Sequence, residues 1–290
     1  MKNSKVLFQE VLSAITLKEK REEIQAIAFI LLESICGITR IEIMSGRIIS
    51  YTEETARTLQ KFIERVNEAE PVQYVVGEEY FFGRKFQVNP CVLIPRPETE
   101  ELVRVVLSWA AREKRLTESL RILDIGTGSG CIPITLFHEI GNAEVYATDI
   151  SNAALSVALK NAELLNANIT FIEHNILKEE LPVRDLDIIV SNPPYVTERE
   201  KGIMKSNVVK FEPHLALFVP DDDPLLFYNE IAARAMKALK VSGLLAVEIN
   251  ENFGNDVSLI FQAAGFKDVA IVNDIADKAR IVRALRPGFQ

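Results

Sequence analysis

Cysteine is scarce in this chain: Cys36, Cys91 and Cys131 are scattered, with no CxxC pair. That spacing indicates neither a disulfide framework nor a zinc site. The histidines, His138, His174 and His214, show no ligand spacing either, so no metal is expected. Long apolar runs are missing too. The longest, Ile24 to Ile35, is broken by Gln25, Glu33 and Ser34 and falls short of a membrane span. The N-terminus has neither the continuous apolar core nor the flanks of a signal peptide, so a reducing cytoplasm is the expected location. Excess positive charge is absent. The formal net charge is -8, with 12 Lys+Arg against 13 Asp+Glu in residues 1 to 95 and 21 against 28 in residues 96 to 290. Binding to phosphate backbones draws much of its affinity from basic residues, so stable nucleic-acid binding is not expected, whereas a protein substrate with a basic loop is compatible. Repeats and low-complexity tracts are lacking as well. What remains, 290 residues that are 48% apolar and 26% charged, reads as a soluble globular chain long enough for two domains.

The first seventy residues carry helical stripes. Val6, Leu7, Val11, Leu12 and Ile15 make one; Ile24, Ile27, Ala28, Leu31, Leu32 and Ile35 make another, ending at Gly37. Thr52 can cap a third, carried by Ala56, Leu59, Phe62, Ile63 and Val66 and stopped before Pro71. Residues 80 to 94 change to aromatic and β-branched alternation around Gly83, which predicts a β-hairpin. Beyond them, apolar runs near 121–126, 144–149, 169–174, 186–191 and 243–249 alternate with helical patterns near 98–111, 130–140, 151–165, 224–241 and 253–264. This predicts an α/β fold, a mostly parallel sheet with helices on both faces. The last two runs, 266–273 and 279–286, are too close for a crossover helix and predict an antiparallel pair. Residues 196 to 223, rich in charge and lacking periodicity, read as a long loop of the kind that forms lids or substrate-binding elements.

Two motifs carry chemistry. The apolar run Leu186-Asp187-Ile188-Ile189-Val190 is followed by Asn192-Pro193-Pro194-Tyr195, which places an amide and an aromatic ring at the carboxyl end of a buried strand, where open α/β sheets bind ligands. Two prolines remove two N–H donors and leave acceptors, a set that suits a planar NH2 group. Asn192 Oδ1 and the Pro193 carbonyl could each take one hydrogen, while Tyr195 could pack on the flat face. An ordinary Asn-Pro turn is the alternative. Upstream, the strand Arg121 to Ile125 runs into Gly126-Thr127-Gly128-Ser129-Gly130 and a helical pattern, a cradle for a nucleotide cofactor with free N–H groups at the turn. Cys131 stands where a dinucleotide fingerprint needs Gly or Ala, which disfavours NAD or FAD and fits a cofactor without a pyrophosphate, such as S-adenosylmethionine. Asp149 ends the next strand at the spacing for an acid that accepts ribose hydroxyls; the competing role is N-cap of the following helix.

In this order the glycine turn, Asp149 and the Asn192 tetrapeptide resemble class I methyltransferases acting on planar amino nitrogens. The stretches Pro71 to Gly77, Phe81-Phe82-Gly83, Ile94 to Glu100, Glu212 to Leu217 and Gly265 to Val269, with Asp274 and Arg280, are similar to the peptide chain release factor glutamine methyltransferases, the HemK-like family. The resemblance implies a helical substrate-binding domain over residues 1–75, a hairpin linker over 76–97 and a Rossmann-like S-adenosylmethionine-dependent domain over 98–290. It further implies a monomer that methylates N5 of the glutamine in the Gly-Gly-Gln loop of release factors, with Asn192, Pro193, Pro194 and Tyr195 at the acceptor. Asn175 and Ile176 fall where the family often has an acidic residue and an aromatic against adenine. Asn250 replaces a usual glycine, at a turn where Asn tolerates a left-handed backbone. Glu98 and Glu212 either shape the pocket or serve as a helix N-terminal charge and a loop bond. The alternative activity is methylation of adenine N6 in DNA or RNA, since adenine also presents a planar NH2.

Overall fold

A computed structural model of the chain describes residues 1–112 and 119–288, and within them two units separate: 1–78 with 205–211, and the remaining described residues. In the first, strand β1 (Lys2–Asn3) leads into α1 (Ser4–Ala14), whose cap Asn3 accepts from the N–H groups of Lys5 and Val6. Helix α2 (Arg21–Cys36) stops at Gly37, where φ is 61°, and α3 (Arg40–Ser45) opens on a Thr39–Glu42 capping box. Strand β2 (Ile48–Ile49) pairs with β1; α4 (Glu53–Asn67) is capped by Thr52, as expected, and α5 (Val72–Val76) follows Pro71. Leu7, Val11, Leu31, Leu32, Ile43, Leu59 and Val66 form the core of this unit. Val6 departs from its expected stripe and is 53% exposed. Adjacent helix positions are about 100° apart, so the Leu7–Val11 face turns Val6 away.

The second unit opens on the hairpin of β3 (Glu78–Phe81) and β4 (Arg84–Gln87), turning at Phe82 and Gly83, whose φ values of 50° and 74° give the handedness that two-residue hairpins require. The hairpin is shorter than expected. Strand pairing ends at Gln87, ahead of Pro90 and Pro95, which have no N–H for a ladder.

From there helices and strands alternate: α6 (Glu100–Arg112), β5 (Leu120–Ile125), α7 (Cys131–Ile140), β6 (Ala143–Asp149), α8 (Asn152–Leu164), β7 (Ile169–Glu173) and β8 (Leu186–Ser191). The segment expected to be a bare loop is instead built of short pieces. Strand β9 (Val196–Thr197) pairs in parallel with β10 (Phe218–Val219), and the chain that joins them forms a 3-10 turn at Glu198–Ile203, helix α9 (Ser206–Phe211), which belongs to the first unit, and a 3-10 turn at His214–Ala216. Local bonds account for the order: the Thr197 N–H and hydroxyl both donate to Glu200 Oε2. Helix α10 (Leu226–Ala238), β11 (Leu239–Glu248), α11 (Gly254–Ala263), β12 (Lys267–Asn273) and β13 (Ala279–Leu285) complete the unit.

Among the described residues the sheet runs β12-β13-β11-β8-β5-β6-β7, parallel from β11 to β7 and antiparallel at the β13 end. Period-2 alternation splits its core between two faces. Ile122, Ile188, Val190, Leu244 and Ala246 pack with α6 residues such as Leu102 and Val106, while Leu123, Ile125, Ile189, Leu245 and Val247 pack with Tyr228, Ile231 and Phe261. Strand β5 lies between β6 and β8, so chain order reverses there. Crevices at the carboxyl ends of such strands are where this architecture binds ligands. No described helix is long and apolar enough to cross a membrane.

Candidate active site

The N–H groups of the glycine turn are largely engaged within the protein. Gly126 and Thr127 donate to the Thr148 carbonyl at 2.8 and 2.9 Å, Gly130 donates to the Thr127 carbonyl at 2.9 Å, and Gly128 donates to Asp149 Oδ2 at 2.9 Å. This corrects the expected cradle of free donors. Ile125 and Thr148 lie in register on adjacent strands, which brings the Thr148 carbonyl to the turn as an acceptor. What the first two glycines offer is room: a Cβ at Gly126 or Gly128 would meet nothing within 4 Å. Gly130, with φ at 79°, is a packing residue, because a Cβ there would stand 3.1 Å from Ala158 Cβ and Ile134 Cδ1.

A cleft opens beside the turn. Gly126, Gly128, Asp149, Asn175, Ile176, Asn192, Pro193 and Pro194 line it, but Thr127, Ser129 and Gly130 do not. Thr127 and Ser129 are buried, and the Ser129 carbonyl accepts from Asn161 Nδ2 at 2.9 Å. Asn161 also exchanges two bonds with the backbone of Gln87, tying the turn to β4, a role that nothing in its sequence neighbourhood announces.

Ser151, not Asp149, caps α8, its hydroxyl accepting from the Ala154 N–H. The Asp149 oxygens instead accept from Gly128 and Ser151 N–H, both at 2.9 Å. Each carboxylate oxygen has a second lone pair for a further donor. Burial raises the Asp149 pKa, and these backbone bonds oppose the rise. Beneath the turn, Asp124 is fully buried, and neither of its oxygens has a hydrogen-bond partner. Burial pushes its carboxyl up to about 7, against the nearby Thr127 hydroxyl and with help from the Asp149 charge.

In the same cleft Asn175 Oδ1 already accepts from the Leu177 N–H at 3.0 Å, while Ile176 is buried in the wall. His174, unassigned from sequence, lines the same wall with its Nε2 on the Glu180 carbonyl and its Nδ1 unpartnered.

A second, smaller cavity lies against the tetrapeptide and is lined by Leu93, Arg96, Asn192, Pro193, Tyr195, Val196, Ala216 and Leu217. Asn192 and Pro193 thus belong to both cavities, Pro194 to the first and Tyr195 to the second. The Tyr195 hydroxyl donates to Glu248 Oε1 at 3.1 Å, and burial followed by the Glu248 charge drives its pKa well up, so it remains a phenol. Glu248 Oε2 accepts from the Thr99 hydroxyl at 2.7 Å, and Asn192 Nδ2 donates to that same hydroxyl oxygen at 3.2 Å.

The other singled-out residues sit at the margins. Glu212, 3% exposed, pairs with Arg96 at 2.5 Å and accepts from the Ile94 N–H, the loop bond weighed for it. Glu98 is exposed in the 3-10 turn Pro97–Thr99 and lines neither cavity. Asp274 and Arg280 pair at 3.1 Å. Asn250 does not adopt the left-handed conformation; its Oδ1 accepts from the Asn252 N–H and closes the turn from the side chain.

Comparison with known proteins places this geometry in context. The family described as Methyltransferase small domain matches residues 109–214, and the PrmC N-terminal domain matches residues 12–77. A release factor glutamine methyltransferase of Bacteroides thetaiotaomicron is 42% identical over 266 residues, 91% of this chain and 94% of that protein. One of Flavobacterium psychrophilum is 41% identical over 98% of each chain, and one of Bacillus subtilis is 36% identical over 91% of this chain and 92% of that one. Among solved structures, a methyltransferase from Pyrococcus furiosus superposes with a TM-score of 0.51 at 17% identity, over 82% of this chain and all of that one. The hMettl16 catalytic domain, solved with an RNA hairpin, reaches 0.55 at 15% identity, over 85% of this chain and 86% of that one. At such identities the structural likeness speaks to the fold alone.

Proposed function

The chain belongs to the release factor glutamine methyltransferase family, and from that premise we propose that it methylates N5 of the glutamine in the Gly-Gly-Gln loop of release factors, using S-adenosylmethionine. The observation that carries the site reading is that Asn192 and Pro193 stand in the walls of both cavities. A group shared by a cofactor cleft and an acceptor pocket is where the two reactants can meet. The larger cleft suits the cofactor: the open space over Gly126 and Gly128 would admit its amino-acid end, Asp149 has lone pairs for ribose hydroxyls, and Ile176 with Asn175 would flank the adenine. The cofactor supplies an electrophilic sulfonium methyl.

The rest is the work of the chain's own residues. An amide nitrogen is a weak nucleophile because its lone pair is delocalised, so positioning and charge placement have to supply the rate. Asn192 Oδ1 and the Pro193 carbonyl accept the two amide hydrogens and aim the nitrogen, and the Tyr195 ring walls the acceptor pocket. The surplus proton leaves to water through those oxygens. Residues 1–75 act as the platform for the protein substrate, joined by the 76–97 linker, which holds the hairpin, to the methyltransferase domain over 98–290. The enzyme works as a cytoplasmic monomer without stable nucleic-acid binding, in keeping with its acidic balance.

Incubation of the purified protein with labelled cofactor and an intact release factor, followed by mapping of the label, tests this directly. Label on the Gly-Gly-Gln glutamine is the expected result, with a short Gly-Gly-Gln peptide a far poorer substrate, since remote contacts orient the nucleophile. Methylated adenine in DNA or RNA with an untouched release factor would overturn it.

A further inference from the structure

We propose that Thr99 and Glu248 are positioning residues that hold the Asn192 amide with its oxygen, and not its NH2, toward the acceptor nitrogen. The proposal rests on the reading of Asn192 as the acceptor of the substrate amide hydrogens, and it follows from a count of protons. Glu248 is 1% exposed and Thr99 is 3% exposed, so neither exchanges these bonds with water. The two Glu248 carboxylate oxygens each receive one hydroxyl donor, Thr99 on Oε2 at 2.7 Å and Tyr195 on Oε1 at 3.1 Å. A hydroxyl has a single hydrogen. Thr99 spends it on Glu248 and can therefore only accept from Asn192, which makes the atom 3.2 Å away Nδ2. The opposite amide face, Oδ1, is then left for the cavities that Asn192 lines.

Rotating the amide by half a turn would set Oδ1 against Thr99 Oγ1. With Glu248 ionised, the single hydrogen would have to leave it, stranding a buried carboxylate oxygen, or the two oxygens would face each other without one. Either outcome costs a buried polar group its partner. With NH2 turned outward, Asn192 would offer hydrogens to a substrate group that also offers hydrogens. The three side chains come from separate places, the turn before α6, the end of β8 and the end of β11, so the relay exists only in the folded chain.

The test is a double-mutant cycle read by kcat, KM and cofactor Kd on the intact release factor. Thr99→Val, close in size but without donor or acceptor, should lower kcat by about tenfold or more while cofactor Kd stays within about twofold. Thr99→Ala should give the same loss should the valine variant fold poorly. Thr99→Ser, which restores the hydroxyl, should return to within about threefold of wild type. In the Asn192→Ala background Thr99→Val should cost less than about threefold more, because the group it orients is gone. Multiplying losses, or a serine variant as impaired as valine in a folded protein, would overturn the positioning role and leave the Asn192 reading standing. Near-normal turnover by Asn192→Ala alone would remove both.

Discussion

The two cavities that meet at Asn192 are made differently. The larger has at its base a local motif, a glycine turn and the acid ending the next strand, tied by bonds between neighbouring backbone segments, while Asn192 and Phe227 join its wall from farther along the chain. The smaller is walled by side chains held from a distance: Arg96 is fastened by Glu212, 116 residues away, and Tyr195 by Glu248, 53 residues away. A cofactor that is the same for a whole class of enzymes can be held by a portable motif. An acceptor particular to one reaction needs a pocket assembled by the tertiary fold.

Separate damage to each side sharpens that contrast. The largest effect is expected at the shared wall: Asn192→Ala should reduce turnover by about a hundredfold or more with little change in cofactor Kd, since a group used in the transition state is lost. Single-turnover kinetics beside a calorimetric titration check both halves; activity within a few-fold of wild type would break the assignment. Asp149→Ala should do the reverse, weakening S-adenosylmethionine by about 1.5 to 3 kcal/mol, the scale of bonds to a charged group, with unaltered calorimetric affinity as the contrary result.

The acid beneath the turn gives a smaller, pH-dependent signature. Asp124 is raised to about 7 by burial. An acid whose pKa is higher in the folded protein contributes stability that is full below its unfolded value near 4 and is lost as pH rises through the folded one, at about 1.4 kcal/mol for each pH interval of one between the two values. Asp124→Asn should therefore flatten the decline in stability between about pH 4 and 7 and gain roughly 2 kcal/mol at pH 8, part of the benefit being offset by burying an amide in the same place. Denaturant melts at several pH values check it, and an unchanged pH profile would show that Asp124 is not the group responsible. A stability difference of comparable size separates the glycines: Gly130→Ala should lower stability by about 1 to 3 kcal/mol through overpacking and backbone strain. Gly128→Ala, in open space, should cost less stability and more cofactor affinity. Equal stability losses in thermal melts would erase the distinction.

Much of the methyltransferase unit was legible because buried parallel strands leave an unmistakable trace. Leu186 to Val190 is apolar at all but Asp187 since both sheet faces are covered, and the run predicted the strand that now ends at Ser191. The residues lining the larger cleft were half legible. Gly126, Gly128 and Asp149 line it, yet whether a glycine faces open space or a neighbouring helix depends on what packs against it, and for Gly130 that is Ala158 of α8. The 196–223 stretch misled because its short elements are closed by side-chain bonds such as Thr197 to Glu200, which leave no periodicity.

The alternation of the central strands and helices, the fold class, the glycine turn and the proline-paired tetrapeptide were determined by the chain alone, because each rests on spacing or on the chemistry of adjacent residues. The distant side-chain partners were decided in three dimensions. Thr99 reaches Glu248 across 149 positions and Glu212 reaches Ile94 across 118, and none of these side chains differs in type from those on any solvated surface. What makes them functional candidates is burial: once water is excluded, each donor must find a specific acceptor, and only the folded chain says which one is within reach.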